Sequence, residues 1–348
     1  MGKIGGSKRL LHKGKSFVLE DSFGRVLDYL RVSVTDRCNL RCIYCMPPEG
    51  VPWKPHADML TFEETLRICR IMAELGIRKI KITGGEPLVR KGMASFLRDV
   101  KNVCGIEKVT LTTNGLLLGA FLDEAETLGC LPDGVNISLD ALSPERYSRI
   151  TGKENSSPEE ILRNIDRLLG KQVWVKINCV PILGFNEEEI IPLVLLAKDR
   201  NIAVRFIELM PLGAGADYGP LSGAKTSGLV EKAFGPLTPF SGIESNGPAL
   251  YYSLEGFTGK LGLISALSEG FCKTCNRLRL TSEGFLKPCL SSAQGYSLRD
   301  LLRKGSGDNE LINAIKDVAA KKPQYHTFSQ VYGGDVEKHS DGMSGIGG

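Results

Sequence analysis

Six of the ten cysteines fall into two tight groups. The first lies in Asp36–Met46, DRCNLRCIYCM, and spaces Cys38, Cys42 and Cys45 as CxxxCxxC. Three thiolates this close can wrap one face of a cubane iron–sulfur cluster and leave one iron without a protein ligand. Zinc is the competing occupant. Structural zinc usually takes four protein ligands, and no fourth lies nearby in the chain. The second group pairs Cys272 and Cys275 in a CxxC turn, and Cys289 returns thirteen intervening residues later. A zinc knuckle with a distant fourth ligand and a second cluster both fit that spacing. Cys69, Cys104, Cys130 and Cys179 are scattered through apolar, periodic segments.

Other residues that could do chemistry sit in or just after apolar runs. Gly84–Pro87 reads GGEP straight after Lys79–Thr83. Glycines without Cβ let a backbone lie against a ligand, although a tight turn alone would explain the pair. Arg31, Lys81, Lys176 and Arg205 each interrupt a different strand-like run. Any one of them could be a solvated strand end. Four together point to a positive interior suited to a polyanion such as a triphosphate. Arg277 and Arg279 alternate, so both face one side of a strand. Ser138 alternates with Asn136 and Asp140, an unusually polar face for a buried strand.

Elements able to position these groups recur along the chain. Strand-like runs cover Asp28–Thr35, Lys79–Thr83, Lys108–Thr113, Gly134–Leu139, Val173–Val180 and Ala203–Met210. Several read as near-continuous apolar runs, the pattern of strands buried on both faces. Helical spacing separates them. Thr61 with Glu64 forms a capping-box signature before Leu66, Ile68, Ile71, Met72 and Leu75, and Gly76 ends the run. Ser157–Leu169, with Pro158 in its first turn, reads as another helix. About six alternating units predict an α/β fold: an open, partial, TIM-like β/α barrel with its chemistry at the C-terminal strand ends. A doubly wound sheet gives the same pattern. Beyond Pro211 the composition turns to Gly, Pro and Ser. One helix is expected near Gly228–Ala233, strands at Tyr251–Leu254, Leu261–Ile264 and Arg277–Thr281, and a helix over Leu298–Ala320. The expected organisation is a tail over 1–20, a barrel over 21–210 and a smaller C-terminal α+β extension over 211–348.

Composition excludes several classes. The 348 residues carry 44 Lys+Arg against 40 Asp+Glu, a net charge of +4 that supports no general nucleic-acid surface. The run Ile190–Ala197 is far too short to span a bilayer. The basic segment Lys3–Lys15 lacks an apolar stretch of signal-peptide length; a transit peptide is the alternative, but the segment is Gly-rich and poor in Arg and Ser and reads as a flexible solvated tail. Without an export signal, disulfides are disfavoured and clustered thiols point to metal.

The triad with Tyr44 before its third cysteine, followed one strand later by GGEP, resembles the radical S-adenosylmethionine superfamily. Residues 271–290, FCKTCNRLRLTSEGFLKPCL, are similar to the C-terminal cluster motif of the GTP 3′,8-cyclase family, which opens molybdenum cofactor biosynthesis. Ile346-Gly347-Gly348 resembles that family's double-glycine tail. The likeness runs from about Ser22 to the last residue. It implies a lyase with two [4Fe-4S] clusters, one on Cys38, Cys42 and Cys45 and one on Cys272, Cys275 and Cys289, whose open iron binds guanine. It implies S-adenosylmethionine contacts around Tyr44, Gly85, Ser138 and Met210. GTP contacts would come from Arg31, Lys81, Thr112, Lys176, Arg277 and Arg279, with Arg277, Arg279, Gly347 and Gly348 in the catalytic set. Many family members carry arginine at Lys81; lysine keeps the charge but loses the planar fork. The resemblance also implies a flavodoxin- or ferredoxin-type reductant, a downstream cyclic pyranopterin monophosphate synthase, a homodimer and a cytoplasmic setting, with neither nucleic acid nor membrane as partner. The competing readings are a peptide-modifying radical enzyme with an auxiliary cluster, a zinc-binding adaptor, and a GTP-binding enzyme remnant.

Overall fold

A parallel sheet wrapped by helices organises the chain. The structure, a computed structural model, describes residues 17–52, 54–154, 156–242, 247–267 and 271–326. Strands β1 (Tyr29–Ser33), β2 (Lys79–Thr83), β3 (Lys108–Thr113), β4 (Gly134–Ser138), β5 (Trp174–Cys179) and β6 (Ala203–Ile207) pair in sequence order, all parallel. Helices α1 (Phe62–Glu74), α2 (Met93–Lys101), α3 (Leu118–Thr127), α4 (Pro144–Thr151), α5 (Glu159–Gly170) and α6 (Ile190–Leu195) fill the crossovers. The expected box caps α1: Glu64 N donates to Thr61 Oγ1 at 3.1 Å and Thr61 N to Glu64 Oε2 at 2.8 Å. Its buried Ile68, Ile71 and Met72 pack into the core. Each such side chain stabilises the fold by ~1.5–3 kcal/mol relative to exposure.

The C-terminal extension adds strands to both edges of this barrel sheet. After α7 (Gly223–Phe234) come β7 (Thr238–Phe240), β8 (Leu250–Ser253), β9 (Lys260–Ile264), β10 (Arg277–Leu280), β11 (Phe285–Lys287) and β12 (Tyr296–Ser297). The order is β12-β11-β10-β1-β2-β3-β4-β5-β6-β9-β8-β7, an open arc. Strand β9 lies parallel to β6 and β10 parallel to β1. The single helix expected over Leu298–Ala320 is instead two, α8 (Leu298–Arg303) and α9 (Asp308–Ala320). Gly305, at φ +79°, takes a conformation no helix continues through. Among the described residues no helix is long and apolar enough to cross a membrane.

The strands alternate rather than running apolar on both faces. Leu30, Val32, Ile80, Ile82, Val109, Leu111, Val135, Ile137, Val175, Ile177, Val204 and Phe206 are buried in one apolar core. The intervening positions turn to the concave side of the arc.

Candidate active site

Register brings the concave residues together. Arg31 lies beside both Lys81 and Arg279, Asn136 beside Thr112 and Lys176, and Asn178 beside Arg205. Two adjoining cavities follow, sharing Tyr29, Lys81, Asn136, Arg205 and Gly247. The upper one, 270 Å³, is lined by Cys38, Cys42, Cys45, Arg31, Arg277 and Arg279 among others. The lower one, 390 Å³, opens among Lys79, Lys108 and Lys176 at the N-terminal strand ends. Lys81 is only 8% exposed. Burial, then the neighbouring Arg31, Arg205, Lys176 and Arg277, holds its ammonium well below the usual lysine range. Burial lowers Arg31 to about 10 and carries Arg279 well below the arginine range. With its amide oxygen turned toward them, Asn136 accepts from both Arg205 and Lys81. The lining carboxylates are engaged elsewhere: Asp133 meets Lys101 Nζ at 2.6 Å, and Glu208 accepts from Leu267 N at 2.9 Å. Cations crowded this closely in a buried space call for a polyanion.

The first cysteine group occupies the loop after β1. Cys45 N and Met46 N both donate to Cys42 O, at 2.8 and 3.0 Å, turning the chain so that all three thiols line the upper cavity. None is in a disulfide. Burial raises Cys38, lifts Cys42 well above the ordinary thiol range and pushes Cys45 up to about 12. Free thiols here keep their protons until metal displaces them. Among the described residues no three His, Cys, Asp or Glu side chains converge as a single metal ion needs. Three thiols on one loop suit one face of a four-iron cube, whose remaining iron needs no protein ligand, whereas structural zinc usually takes four protein ligands.

Neighbouring loops brace this group. Glu86 of GGEP accepts from Leu88 N at 3.0 Å, Thr113 Oγ1 at 2.8 Å and Asn114 N at 2.6 Å. Burial nonetheless raises its carboxyl to about 7. Asn114 Nδ2 in turn donates to Asn39 Oδ1 at 2.8 Å, beside Cys38. Opposite, Tyr44 OH donates to Asp140 Oδ2 at 2.7 Å, and Val180 N donates to Asp140 Oδ1 at 2.8 Å. Burial raises Asp140 to about 6. Glu86→Gln places an amide NH₂ against the Asn114 N–H, so the apo chain is expected to lose ~1–3 kcal/mol. Urea unfolding measures it, and an unchanged midpoint would refute the brace.

The second group sits at the other end of the sheet. Cys272 and Cys275 precede β10 and Cys289 follows the antiparallel β11, so all three gather where β1 and β10 begin. The first group follows the end of β1. The five residues of β1 therefore separate the groups, ~16 Å at ~3.3 Å per residue. Phe271, Arg277 and Leu290, which flank the second group, line the upper cavity from that side. Burial opposes it, but the Arg277 guanidinium and Lys322 ammonium bring the Cys275 thiol down to about 6. A thiol poised as thiolate suits metal binding.

The structure thus brings most of the expected site together. Tyr44, Gly85, Ser138, Met210, Arg31, Lys81, Thr112, Arg277 and Arg279 all line the upper cavity. Thr112 Oγ1 is buried there without a partner among the described residues. Lys176 lines only the lower cavity. Gly347 and Gly348 lie outside the described residues. Arg205 showed in the sequence as a strand cation without an assigned contact; it lines both cavities. The bracing roles of Glu86, Asn114 and Asp140 left only position as a signal, each standing just past a strand end.

Comparison with known proteins agrees with this geometry. The family model described as Radical SAM superfamily matches residues 32–197, and that described as Molybdenum Cofactor Synthesis C matches residues 202–328. The GTP 3′,8-cyclase of Heliobacterium modesticaldum is 45% identical over 320 residues, covering 90% of this chain and 96% of the relative. That of Clostridium perfringens strain 13 is 42% identical, covering 89% and 95%, and that of Moorella thermoacetica 39%, covering 95% and 100%. Among solved structures, Streptococcus suis SuiB shares the fold at a TM-score of 0.55 and 16% identity, covering 89% of this chain and 67% of SuiB. A cation-walled chamber with a three-thiol loop at its mouth, in a chain this similar to curated enzymes over nearly its whole length, places the protein in the GTP 3′,8-cyclase family of the radical S-adenosylmethionine superfamily.

Proposed function

We propose that the chain converts GTP to 3′,8-cyclo-7,8-dihydroguanosine 5′-triphosphate, the first step of molybdenum cofactor biosynthesis, with a [4Fe-4S] cluster and S-adenosylmethionine at Cys38, Cys42 and Cys45, and a second [4Fe-4S] cluster at Cys272, Cys275 and Cys289. The carrying observation is one chamber with the first thiol group at its mouth, the flanks of the second at its far wall, and cations between. When bound, the cluster and S-adenosylmethionine would supply a 5′-deoxyadenosyl radical to take hydrogen from C3′ of GTP; C3′ would then join C8 of guanine, and one electron from the reductant with one proton would complete the 7,8-dihydro product.

The protein's own part is to hold and shield. Arg31, Lys81, Lys176 and Arg205 meet the triphosphate; the phosphates restore the charge balance that burial has upset. Thr112 Oγ1 has a hydrogen bond to give, and Arg277 and Arg279 reach the nucleotide from β10. Tyr44, Gly85, Ser138 and Met210 hold S-adenosylmethionine, with Tyr44 fixed in place by Asp140. The enclosing sheet keeps water from the reacting carbons and holds C3′ within contact distance.

The proposal extends to the organisation: a tail over 1–20, a radical barrel over 21–210 and a C-terminal unit over 211–348. The two family segments, meeting between 197 and 202, support a two-part organisation, with their junction one strand ahead of the proposed boundary. Family membership supports a flavodoxin- or ferredoxin-type reductant, a downstream cyclic pyranopterin monophosphate synthase, a homodimer and a cytoplasmic setting.

The test is anaerobic incubation with reductant, S-adenosylmethionine and GTP. It is expected to yield 5′-deoxyadenosine and the cyclised nucleotide together; 5′-deoxyadenosine without the nucleotide would sink the assignment. Removing Gly347 and Gly348 is expected to abolish cyclisation while uncoupled S-adenosylmethionine cleavage continues. Full activity after that truncation would remove the tail from the catalytic set.

A further inference from the structure

Two cations, the part-buried Arg25 and the buried Lys322, reach the second cysteine group from opposite ends of the chain. Arg25 lies in the turn closed by the Glu20–Val26 bridge, its Nε 2.5 Å from Asp21 Oδ2. Its guanidinium donates to the carbonyls of Cys272 at 2.6 Å, Pro323 at 2.7 Å and Gln324 at 3.1 Å. Lys322, just past α9, is 3% exposed. Its ammonium donates to Arg277 O and Pro288 O, each at 2.7 Å. These contacts touch all three arms of the group. One carbonyl belongs to Cys272, one lies two residues past Cys275, and one immediately precedes Cys289.

Lys322 has no carboxylate partner among the described residues. An ammonium taken out of water and met only by neutral carbonyls is costly, and a fixed anion nearby relieves the cost. Lys321 next to it behaves differently, pairing with Asp317 at 2.6 Å on the exposed side of α9. The side chains able to set negative charge toward Lys322 are those of Cys275 and Cys289, once they bind metal as thiolates. Three thiolates around a four-iron core remain anionic, and more so after reduction.

We infer that Lys322, with Arg25, is a positioning pair for the second cluster: the two side chains tie the three cysteine arms into one cradle, and Lys322, which unlike Arg25 has no carboxylate beside it, sets buried positive charge against the anionic cluster. The inference rests on reading this group as a cluster site. A fixed charge beside a cluster also raises its reduction potential, because it favours the added electron.

The experiment compares the wild type with Lys322→Met, Lys322→Arg and Lys321→Met, each reconstituted without oxygen. The wild type is expected to hold ~8 iron per chain and Lys322→Met ~4, with the first cluster's response to S-adenosylmethionine intact. Lys322→Arg keeps the charge and is expected to hold ~8 iron with a second-cluster potential close to the wild type's, read by redox titration followed by electron paramagnetic resonance. Lys321→Met should match the wild type in both. If Lys322→Met proves insoluble, Lys322→Gln replaces it, keeping an amide donor without the charge; ~4 iron is again expected. Full iron and an unchanged second-cluster potential in the uncharged variant would overturn the inference. So would Lys322→Arg as iron-poor as the uncharged variant, since charge would then not be what matters. A wild type holding only ~4 iron would instead overturn the two-cluster reading itself, and this inference with it.

Discussion

Cys289→Ala is expected to give a chain that cleaves S-adenosylmethionine but forms no cyclised nucleotide. The two cysteine groups stand at opposite ends of β1, about one strand length apart. Effects at sites more than ~7–10 Å apart without shared partners are usually independent. Loss of the third thiolate leaves Cys272 and Cys275 unable to hold a cube by themselves, while Cys38, Cys42 and Cys45 keep their loop and its braces. Iron should fall from ~8 to ~4 per chain. GTP would then lose its proposed anchor at the far wall but keep the contacts proposed for Arg31, Lys81 and Arg205. A substrate held by its phosphates alone swings at the reacting end, and misplacement by ~1 Å can cost ~100-fold. Product should therefore fall at least that far, while 5′-deoxyadenosine accumulates uncoupled. Iron analysis and chromatography of both products decide the matter. Wild-type cyclisation by Cys289→Ala would show that the second group does not hold the substrate.

The local parts of this arrangement were legible in the sequence, and the long-range parts were not. Lys79–Thr83 and Lys108–Thr113 end where their strands end, because Gly84 and Asn114 follow apolar alternation with residues that leave a strand readily. Arg31, Lys81, Lys176 and Arg205 announced a polar interior because charge inside a strand is tolerated only beside a cavity. That the two cysteine groups lie at opposite ends depends on β10 pairing with β1, a contact between segments far apart in the chain that no local period encodes. Glu86 illustrates the same limit. GGEP shows in sequence that a loop must lie close to something, but its hydrogen bonds to Thr113 and Asn114 come from the adjacent strand end. Lys322 reads as one more helix-terminal lysine until the fold turns it inward onto Arg277 and Pro288.

Gly85→Ala is expected to abolish the first site while most of the barrel still folds. A tight turn would explain the glycine pair from sequence alone, but neither Gly84 nor Gly85 has a positive φ. What the backbone requires there is space. Gly85 N donates to Thr35 O and Glu86 N to Arg37 O, both at 2.8 Å, laying the GGEP loop directly on the loop that leads into Cys38. A Cβ on Gly85 would stand 2.5 Å from Arg37 O and 2.7 Å from Asp36 O, and one on Gly84 would stand 2.6 Å from Thr35 O. The obstructing atoms are backbone, so no rotamer change relieves the clash. One of the two loops must move, and either movement breaks the register between GGEP and the loop that carries Cys38. Overpacking of this kind costs ~1–3 kcal/mol, small beside the strength of the sheet. Displacement of a cysteine arm by ~1 Å is far more damaging to cluster binding and to S-adenosylmethionine placement. Cleavage of S-adenosylmethionine should fall ~100-fold or more, with the iron of the second site retained. Gly92→Ala is the comparison: its Cβ would meet only the Phe62 ring, at 3.6 Å, so its cost is that of the left-handed φ of +79° and leaves the cysteine loop alone. Equal cleavage by Gly85→Ala and the wild type would mean that the two loops can separate without loss, and that the close backbone approach does not set the position of Cys38.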